Sequence, residues 1–290
     1  MTAVRIASDG IAAEIAPLGA ELVRLTDADG RDWQWGGDPA VWAGRAPILF
    51  PIVGTLRDDS FRWQGTRYNL PRHGFARRST FALVDHAADR VTFRLESDAA
   101  TLAVWPFAFQ LDMDYAVAGS TLTMTASVRN PSADPMPASF GYHPALLWPL
   151  PGGAPRDAHE ILFDKPESAP VRRLDADGLV DPAPRPSPVD GNSLALSDSL
   201  FAADALILDR PASDRLIYGA PDGGRVAVGY PGMPQIAFWQ KPGAGYLCIE
   251  PWHGLSDPAG FDGDIFEKPG MAIIDGGGER RFTMTIELLP

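Results

Sequence analysis

The chain has 290 residues, 45% of them hydrophobic, and a formal net charge of −12 at pH 7. A chain this acidic repels the phosphates of nucleic acids and of anionic membranes, so neither is expected as a partner. No apolar run is long enough for a transmembrane helix, and the first residues lack the apolar core of a signal peptide. The single cysteine, Cys248, excludes an intramolecular disulfide, and these features together predict a cytoplasmic protein.

Apolar residues alternate with polar ones from the start of the chain, a pattern that is typical of β-strands. In the first third of the chain this alternation predicts three hairpins, at residues 22–35, 61–70 and 81–95. The clearest hairpin follows at residues 107–128, around an Ala-Gly-Ser turn. One face of it carries Phe107, Phe109, Leu111, Met113, Tyr115, Val117, Leu122, Met124, Ala126 and Val128.

In the second half of the chain the alternation of apolar and polar residues is interrupted once. Residues 149–190 contain nine prolines and little periodicity, which predicts a long surface excursion and a candidate rim of a binding cleft. Strands resume with a hairpin around the PDGG turn in 215–231 and end with the alternating strand 281–289. No repeat or linker is evident, so a single all-β domain over residues 1–290 is predicted, either a sandwich or a barrel.

Three polar residues interrupt otherwise apolar or Gly/Pro-shaped runs: His73 in LPRHGFARR, His143 in SFGYHPAL and Glu250 in CIEPWHG. Pro251 cannot donate to a β-ladder, so the strand is predicted to end at Glu250, facing a cleft. Buried polar side chains need partners. A purely structural role therefore remains open for each residue: His73 as a turn residue, His143 as a satisfied core histidine and Glu250 as the partner of an arginine. Of the other histidines, His253 is predicted to lie in a loop, and His86 and His159 to face solvent.

Two histidines and a glutamate fit a metal site, a hydrolytic triad or an acid/base pair. The metal signal is weak, because these residues are about seventy or more positions apart and form no tight ligand pair. A triad lacks a G-x-S-x-G nucleophile motif, and Cys248 occupies an alternate strand position where a core thiol fits. An acid/base pair needs only a carboxylate and an imidazole that face one bound molecule.

Four segments, in order, resemble the aldose 1-epimerase family, the galactose-mutarotase-like proteins. They are residues 15–35, residues 46–81 with FPIVGTL and LPRHGFARR, residues 105–146 with PASFGYHPAL, and residues 237–258 with AFWQKPGAGYLCIEPWHG. The HGFAR and IEPWHG forms are similar to the bacterial aldose-1-epimerase-like branch. The resemblance implies an all-β fold, a large antiparallel β-sandwich with a sugar cleft on one sheet.

The resemblance also implies catalytic roles in opening and closing the ring of an aldose, without a cofactor or metal. His143 matches the general acid that protonates the ring oxygen, and Glu250 matches the general base that takes the proton of the anomeric hydroxyl. His73 matches a second histidine that hydrogen-bonds the substrate near the ring oxygen. Burial is expected to raise the pKa of Glu250 and to lower that of His143.

The resemblance gives a less definite set of sugar-binding residues: Arg77, Asp204 and Trp239. The chain departs from the family at Thr55, where an arginine is usual, which puts the choice of sugar in doubt. Nearby candidates to replace that arginine are Arg45, Arg57 and Arg77.

Two alternatives to a hexose epimerase stay open. A cluster of Arg72, Arg77 and Arg78 could bind phosphate, which would make the substrate a hexose 6-phosphate. A sugar-binding or sensor protein without catalysis would use His73 and His143 only as hydrogen-bond donors. In an epimerase, by contrast, Glu250 and His143 are expected to converge on one pocket with about a monosaccharide ring between them. The expected partner is therefore a monosaccharide or sugar phosphate, and the sequence does not predict the oligomeric state.

Overall fold

The structure is a computed structural model that describes residues 2–289, and it consists mostly of β-strands. Strands β1 to β23 are, in chain order, Val4–Ala7, Ile11–Ala16, Glu21–Asp27, Ile48–Leu49, Ser60–Trp63, Thr66–Asn69, Ala82–His86, Arg90–Glu96, Gln110–Ala118, Thr121–Arg129, Met136–Ala138, Phe140–Tyr142, Ala145–Leu147, Glu160–Phe163, Val171–Arg172, Ser193–Ala195, Leu206–Asp209, Arg215–Gly219, Arg225–Gly229, Gln235–Trp239, Tyr246–His253, Ala272–Ile274 and Glu279–Leu289. The α-helix α1 is Ala99–Val104, and short 3₁₀ helices are Arg57–Asp59, Ala76–Arg78, Arg156–Ala158, Asp198–Phe201 and Ile265–Glu267. Among the described residues, no helix has the length and apolar character required to cross a membrane.

Two large sheets dominate the molecule. The nine-stranded sheet has the order β16-β14-β18-β19-β23-β10-β9-β8-β7, and the seven-stranded sheet has the order β15-β17-β20-β21-β12-β4, with β13 also paired to β21. Every pairing between these strands is antiparallel. The smaller sheets are β1-β2-β3, β5-β6 and β11-β22. The predicted all-β antiparallel sandwich is confirmed.

The two large sheets are held together by a shared core. The side chain of Tyr142, on β12, crosses to the nine-stranded sheet, where its hydroxyl lies 2.8 Å from the carbonyl oxygen of Phe282 and accepts the N–H of Ala126 at 3.0 Å. Phe140, two residues earlier on the same face, stacks on Phe282 with ring centroids 5.3 Å apart. One face of β12 therefore belongs to the core, which leaves the opposite face for other uses.

Most of the predicted hairpins are present. Residues 107–128 form β9 and β10, residues 215–231 form β18 and β19, and the segments 61–70 and 81–95 form β5-β6 and β7-β8. The last strand buries Phe282 and its apolar neighbours as expected. The hairpin predicted at 22–35 forms only in part, because β3 is its one strand and the returning arm is not a strand. That arm makes an antiparallel bridge between Asp32 and Thr26, and the N–H of Trp33 donates to the carbonyl of Leu25 at 2.9 Å.

The proline-rich segment 149–190 is not simply a surface excursion. It supplies β14 to the nine-stranded sheet and β15 to the seven-stranded sheet, and Ile161 and Phe163 of β14 are buried. Alternation over only four residues is too short to stand out between prolines. The segment does approach the cleft described below, since a Cβ on Gly178 would lie 3.9 Å from Nη1 of Arg72, which lines that cleft.

The seven-stranded sheet carries different residues on its two faces. Leu247 and Ile249 of β21 point into the main core, while Cys248, Glu250 and Trp252 alternate onto the opposite face. The outer face holds only two small apolar clusters, one around Trp252 and one around Cys248. This face is therefore not fully covered by core packing, and the cavity lies over it.

Candidate active site

A cavity of about 500 Å³ opens on the outer face of the seven-stranded sheet. All six residues predicted for the site line it: His73, His143, Glu250, Arg77, Asp204 and Trp239. They come from β20, β21, the residues that follow β12, the 3₁₀ helix Ala76–Arg78 and two loops, so only the fold brings them together. A volume of this size accommodates a small molecule such as a monosaccharide.

The register of the sheet places His143 directly opposite Glu250. Gly141 pairs with Trp252 on one side and Ala145 pairs with Cys248 on the other. His143 and Glu250 lie midway between these two pairs and therefore face each other. His143 Nε2 lies 3.1 Å from Glu250 Oε2, although the two are not aligned as a hydrogen bond. The expectation that a sugar ring would separate them is wrong, since the two groups touch and face the cavity side by side.

The predicted end of the strand at Glu250 is also wrong, because β21 continues through Pro251 to His253. The N–H of Ile249 points to the carbonyl of Pro144 on the side of β12 and β13, and position 251 has the same orientation. There the neighbouring strand is interrupted between Tyr142 and Ala145, so a donor at position 251 is not required for the ladder. The gap in the neighbouring strand that positions His143 therefore also allows a proline at position 251.

Burial sets the protonation of the pair. Glu250 is 1% exposed, and its burial raises the pKa of its carboxyl well above the usual value, against a smaller opposing effect of the Arg72 charge. Burial also lowers the pKa of His143 to about 3. Both shifts follow the expected directions and favour a pair without net charge, a neutral imidazole beside a protonated carboxyl. Such closely coupled groups titrate as a unit.

His73 is fixed by two hydrogen bonds to one residue. Its backbone N–H donates to the carbonyl of Gly54 at 2.8 Å, and its Nδ1 accepts the N–H of Gly54 at 3.0 Å. Its φ of 66° is uncommon for a residue with a side chain. The ring lies edge-on to His143, with centroids 6.2 Å apart, and burial lowers the pKa of His73 well below the usual value. His73 is therefore a neutral imidazole that faces the same space as the pair.

Two tryptophans wall the cavity beside His143. The rings of Trp42 and Trp239 lie 5.4 Å and 5.9 Å from the imidazole, centroid to centroid, and 5.6 Å from each other. Aromatic faces of this kind pack against the C–H faces of sugars. Trp42 was missed by the sequence reasoning because the loop that carries it has no periodicity. The only feature of the sequence that could have indicated Trp42 as a cavity residue is its position just before the APILFP motif.

Basic residues line another part of the cavity. Arg77 is half-buried, its burial lowers its pKa to about 10, and it donates to the carbonyl of Arg72 at 2.8 Å. Arg72 and Lys241 also line the cavity. Of the three arginines considered as replacements for the usual arginine at position 55, Arg77 lines the cavity, whereas Arg45 and Arg57 do not. Arg78, from the predicted phosphate-binding cluster, does not line it either.

Asp204 is half-buried at the edge of the cavity, with a φ of 62°. Its carboxylate accepts the N–H of Ala205 at 2.8 Å, and its backbone carbonyl accepts a hydrogen bond from Arg173 at 2.9 Å. Its charge contributes to raising the pKa of Glu250. The carboxylate is thus anchored close to the pair, with a free oxygen available for a hydroxyl group.

Unpaired polar atoms gather at this cavity. Among the described residues, four of its lining side chains have a buried polar atom without a protein partner: Arg77 Nε, His143 Nδ1, Glu250 Oε2 and Trp252 Nε1. Buried polar atoms are normally satisfied, and exceptions require an explanation. Donors and acceptors that converge on one cavity are suited to a ligand rich in hydroxyl groups.

The remaining histidines lie elsewhere. His86 is exposed, as predicted. The prediction for His159 is wrong: it is 1% exposed, and its Nε2 accepts the N–H of Leu150 at 3.0 Å while its Nδ1 lies 3.0 Å from the carbonyl of Pro155. The loop predicted for His253 is also wrong, since this residue ends β21 and packs against Phe282. The polar neighbours of His159 in the sequence did not indicate its burial.

One group of side chains has the composition of a metal site. The ligand atoms of His143, Cys248 and Glu250 all lie within 4.8 Å of one another. The thiol is fully buried, which raises its pKa and disfavours the thiolate that binds metals. Arg72 and Arg77 also line the cavity and repel a divalent cation. The arrangement suits proton transfer better than metal binding.

A second cavity, of about 470 Å³, lies beside the β5-β6 hairpin. Its lining includes Arg57, Arg62, Asp257 and Lys268, but no histidine. Lys268 and Asp257 pair with each other at 2.8 Å, so neither is free to act on a ligand. The candidate acid/base pair, His143 and Glu250, lines the first cavity.

Comparisons with known proteins agree with this geometry. A family model described as aldose 1-epimerase matches residues 2–262. The chain is 31% identical over 277 residues to the chromosomal LacX protein of Lactococcus lactis subsp. lactis, and the match covers 92% of each chain.

Two solved structures are similar over their whole length. One is a galactose mutarotase related enzyme from Lactobacillus acidophilus, with a TM-score of 0.92 and 30% identity, covering 99% of this chain and 97% of the other. The second is a galactose mutarotase-like protein from Lactobacillus casei, with a TM-score of 0.91 and 28% identity, covering 99% of this chain and all of the other.

Proposed function

The chain belongs to the aldose 1-epimerase family, as its sequence motifs predicted, and we propose that it interconverts the α and β anomers of a hexose by acid/base ring opening. The observation that carries this proposal is the 3.1 Å contact between His143 and Glu250 on the floor of the cavity. The anomeric oxygen O1 and the ring oxygen O5 are bonded to the same carbon. An acid and a base that lie side by side can therefore reach both oxygens of one sugar.

The proposed reaction begins with Glu250 as a carboxylate and His143 as an imidazolium. Glu250 takes the proton of O1 while His143 gives its proton to O5, the C1–O5 bond breaks with its electron pair on O5, and a C1=O1 double bond forms. Rotation about C1–C2 then presents the other face of the aldehyde. O5 attacks C1 and returns its proton to His143, and Glu250 returns its proton to O1. A positioned acid and base each contribute about 10²–10⁴-fold.

The protonation of the free site fits this cycle. One proton is shared by the pair throughout, and burial favours the form in which Glu250 holds it. The two groups lie 3.1 Å apart, and once they align as a hydrogen bond, transfer of that proton to His143 produces the starting state of the reaction. The Arg72 charge stabilises the carboxylate that results. His73 would donate a hydrogen bond to the ring oxygen, and Trp42 and Trp239 would pack against the sugar.

Polarimetry of freshly dissolved α-glucose and α-galactose tests the proposal. The protein is expected to accelerate the approach to anomeric equilibrium in proportion to its concentration. If it accelerates neither sugar, and phosphorylated hexoses are also unaffected, the proposal is wrong and the cavity is a binding site without catalysis.

A hexose 6-phosphate is the second candidate substrate, and a specific observation favours it. Three basic residues, Arg72, Arg77 and Lys241, line the cavity, and basic side chains of this kind bind phosphate groups. The comparison of α-glucose with α-glucose 6-phosphate separates the two candidates. A phosphate substrate should give the lower KM, and Arg77→Gln should remove that advantage by raising KM for α-glucose 6-phosphate more than KM for α-glucose.

A further inference from the structure

His73 needs a defined tautomer to act as a donor. A neutral imidazole has one N–H and one acceptor nitrogen. Two groups are placed as donors to the ring: the N–H of Gly54 lies 3.0 Å from Nδ1, and Arg72 Nε lies 3.2 Å from Nε2. The Gly54 amide is buried backbone that the fold holds in place, whereas Arg72 is an exposed side chain with several rotatable bonds. Nδ1 is therefore the acceptor, and the ring proton lies on Nε2, where a ligand can accept it.

This assignment makes the position of Gly54 critical, and Ser256 packs directly against it. A Cβ on Gly54, whose φ is 77°, would lie 2.2 Å from Ser256 Oγ and 2.6 Å from Ser256 N. Ser256 Oγ also accepts the N–H of Thr55 at 3.0 Å. Ser256 is 4% exposed and is not among the residues that line the cavity. It touches the backbone that holds His73, rather than His73 itself.

Asp257, the next residue, makes further hydrogen bonds to the segment 54–57. Its N–H donates to the carbonyl of Thr55 at 2.9 Å, and its carboxylate accepts the N–H of Arg57 at 2.9 Å. Lys268 lies 2.8 Å from the other carboxylate oxygen and also donates to the carbonyl of Leu255 at 2.8 Å. Lys268 and Asp257 are each 3% exposed, so this ion pair is buried behind the segment 54–57.

We propose that Ser256, supported by the buried pair of Asp257 and Lys268, is a positioning residue that fixes His73 through Gly54. Its hydroxyl holds the segment 54–57 in place, Gly54 then presents its N–H to Nδ1, and the ring keeps its proton on Nε2 toward the ligand. The segment behind the cavity thereby determines which nitrogen of His73 is a donor. Only the effect on the reaction rate depends on the proposed function, because the tautomer is a property of the free protein.

Ser256→Ala tests this role, and the chain offers a matched control. Ser213 is likewise buried, at 3% exposed, and its Oγ accepts a backbone N–H, that of Lys165, at 3.0 Å. Neither Ser213 nor Lys165 is among the residues that line the cavity. Long-range ¹H–¹⁵N NMR spectra of protein with labelled histidine report which nitrogen of His73 carries the proton. The wild type and Ser213→Ala are expected to show a single Nε2–H tautomer. Ser256→Ala is expected to show a mixture of tautomers and a roughly tenfold lower kcat with little change in KM.

Two results would overturn the proposal. One is an unchanged His73 tautomer in Ser256→Ala, whatever happens to the rate. The other is an equal change of tautomer or kcat in Ser213→Ala, which would assign the effect to a general loss of stability. If the wild type has no activity on any sugar, the proposed function fails, while the NMR comparison still decides the role of Ser256.

Discussion

At the scale of single residues, the proposed role of Glu250 as the general base is the one that a substitution tests most directly. It is nearly fully buried, and one of its carboxylate oxygens has no hydrogen-bond partner within the protein. Replacement by glutamine keeps its shape and removes the base. We expect Glu250→Gln to lower kcat by at least about 10²-fold in polarimetry, with a thermal midpoint no lower than that of the wild type, because a buried ionisable group is removed.

Glu167→Gln is the matched control for this prediction. Glu167 is 3% exposed, lies outside the cavity, and accepts the N–H groups of Ala212 and Ser213 at 2.9 Å and 2.7 Å. Its replacement should lower stability and leave kcat nearly unchanged. Activity in Glu250→Gln that equals that of the wild type would remove Glu250 from the mechanism.

The pH dependence of the reaction follows from the pair rather than from an isolated histidine. The pKa of His143 is lowered to about 3 and that of Glu250 is raised, so a second proton binds to the pair only in acid. Measured kcat/KM should therefore stay nearly constant as the pH falls from 7 to about 5. A fall in kcat/KM centred near 6.5, the ordinary pKa of histidine, would contradict this account.

Single residues could be predicted from the sequence where an uncommon polar side chain interrupts an apolar run. His143 and Glu250 were found in this way, and the structure places both in one cavity. Trp42 was missed because a tryptophan in an irregular loop resembles any other tryptophan. His159 was misjudged because its burial comes from contacts with Leu150 and Pro155 that only the fold creates.

At the scale of elements, the alternating strands were predicted well because each has one face in the core. β9 and β10 bury every second residue over nine positions, and this leaves a strong pattern in the sequence. β14 and β15 lie in the proline-rich segment and have only four and two residues, so pairing with neighbours rather than local sequence forms them. The continuation of β21 through Pro251 likewise depends on a gap in the neighbouring strand.

β12 carries a glycine whose size matters to the site. A Cβ on Gly141 would lie 2.7 Å from Trp252 Cδ1 and 3.0 Å from Leu49 Cδ1. Because Trp252 lines the cavity, Gly141→Ala should displace its ring, lower kcat/KM roughly tenfold and reduce the free energy of unfolding by about 1–3 kcal/mol. Steady-state kinetics and chemical denaturation measure the two effects.

Gly36→Ala serves as the control, because no heavy atom lies within 4 Å of a Cβ at that position. It should change neither quantity appreciably. Normal kinetics in Gly141→Ala would show that the floor of the cavity adapts, and that the close packing of β12 on Trp252 does not matter for the reaction.

At the scale of the whole molecule, we propose that the chain is one domain. A single core cluster extends from Ile6 near one end of the chain to Leu288 near the other and includes residues of both large sheets. Unfolding should therefore be one cooperative transition in differential scanning calorimetry, with equal calorimetric and van't Hoff enthalpies. Two separate transitions would contradict the single-domain description.

The central claim is that one sugar contacts His143 and Glu250 at the same time, and a crystal structure of Glu250→Gln with a bound aldohexose tests it most directly. The account predicts a sugar in the cavity beside Trp42 and Trp239, with O1 within hydrogen-bond distance of the side chain at position 250 and O5 within that distance of His143 Nε2. A sugar bound in this cavity with O1 and O5 turned away from both side chains, or bound only in the cavity beside β5 and β6, would contradict it.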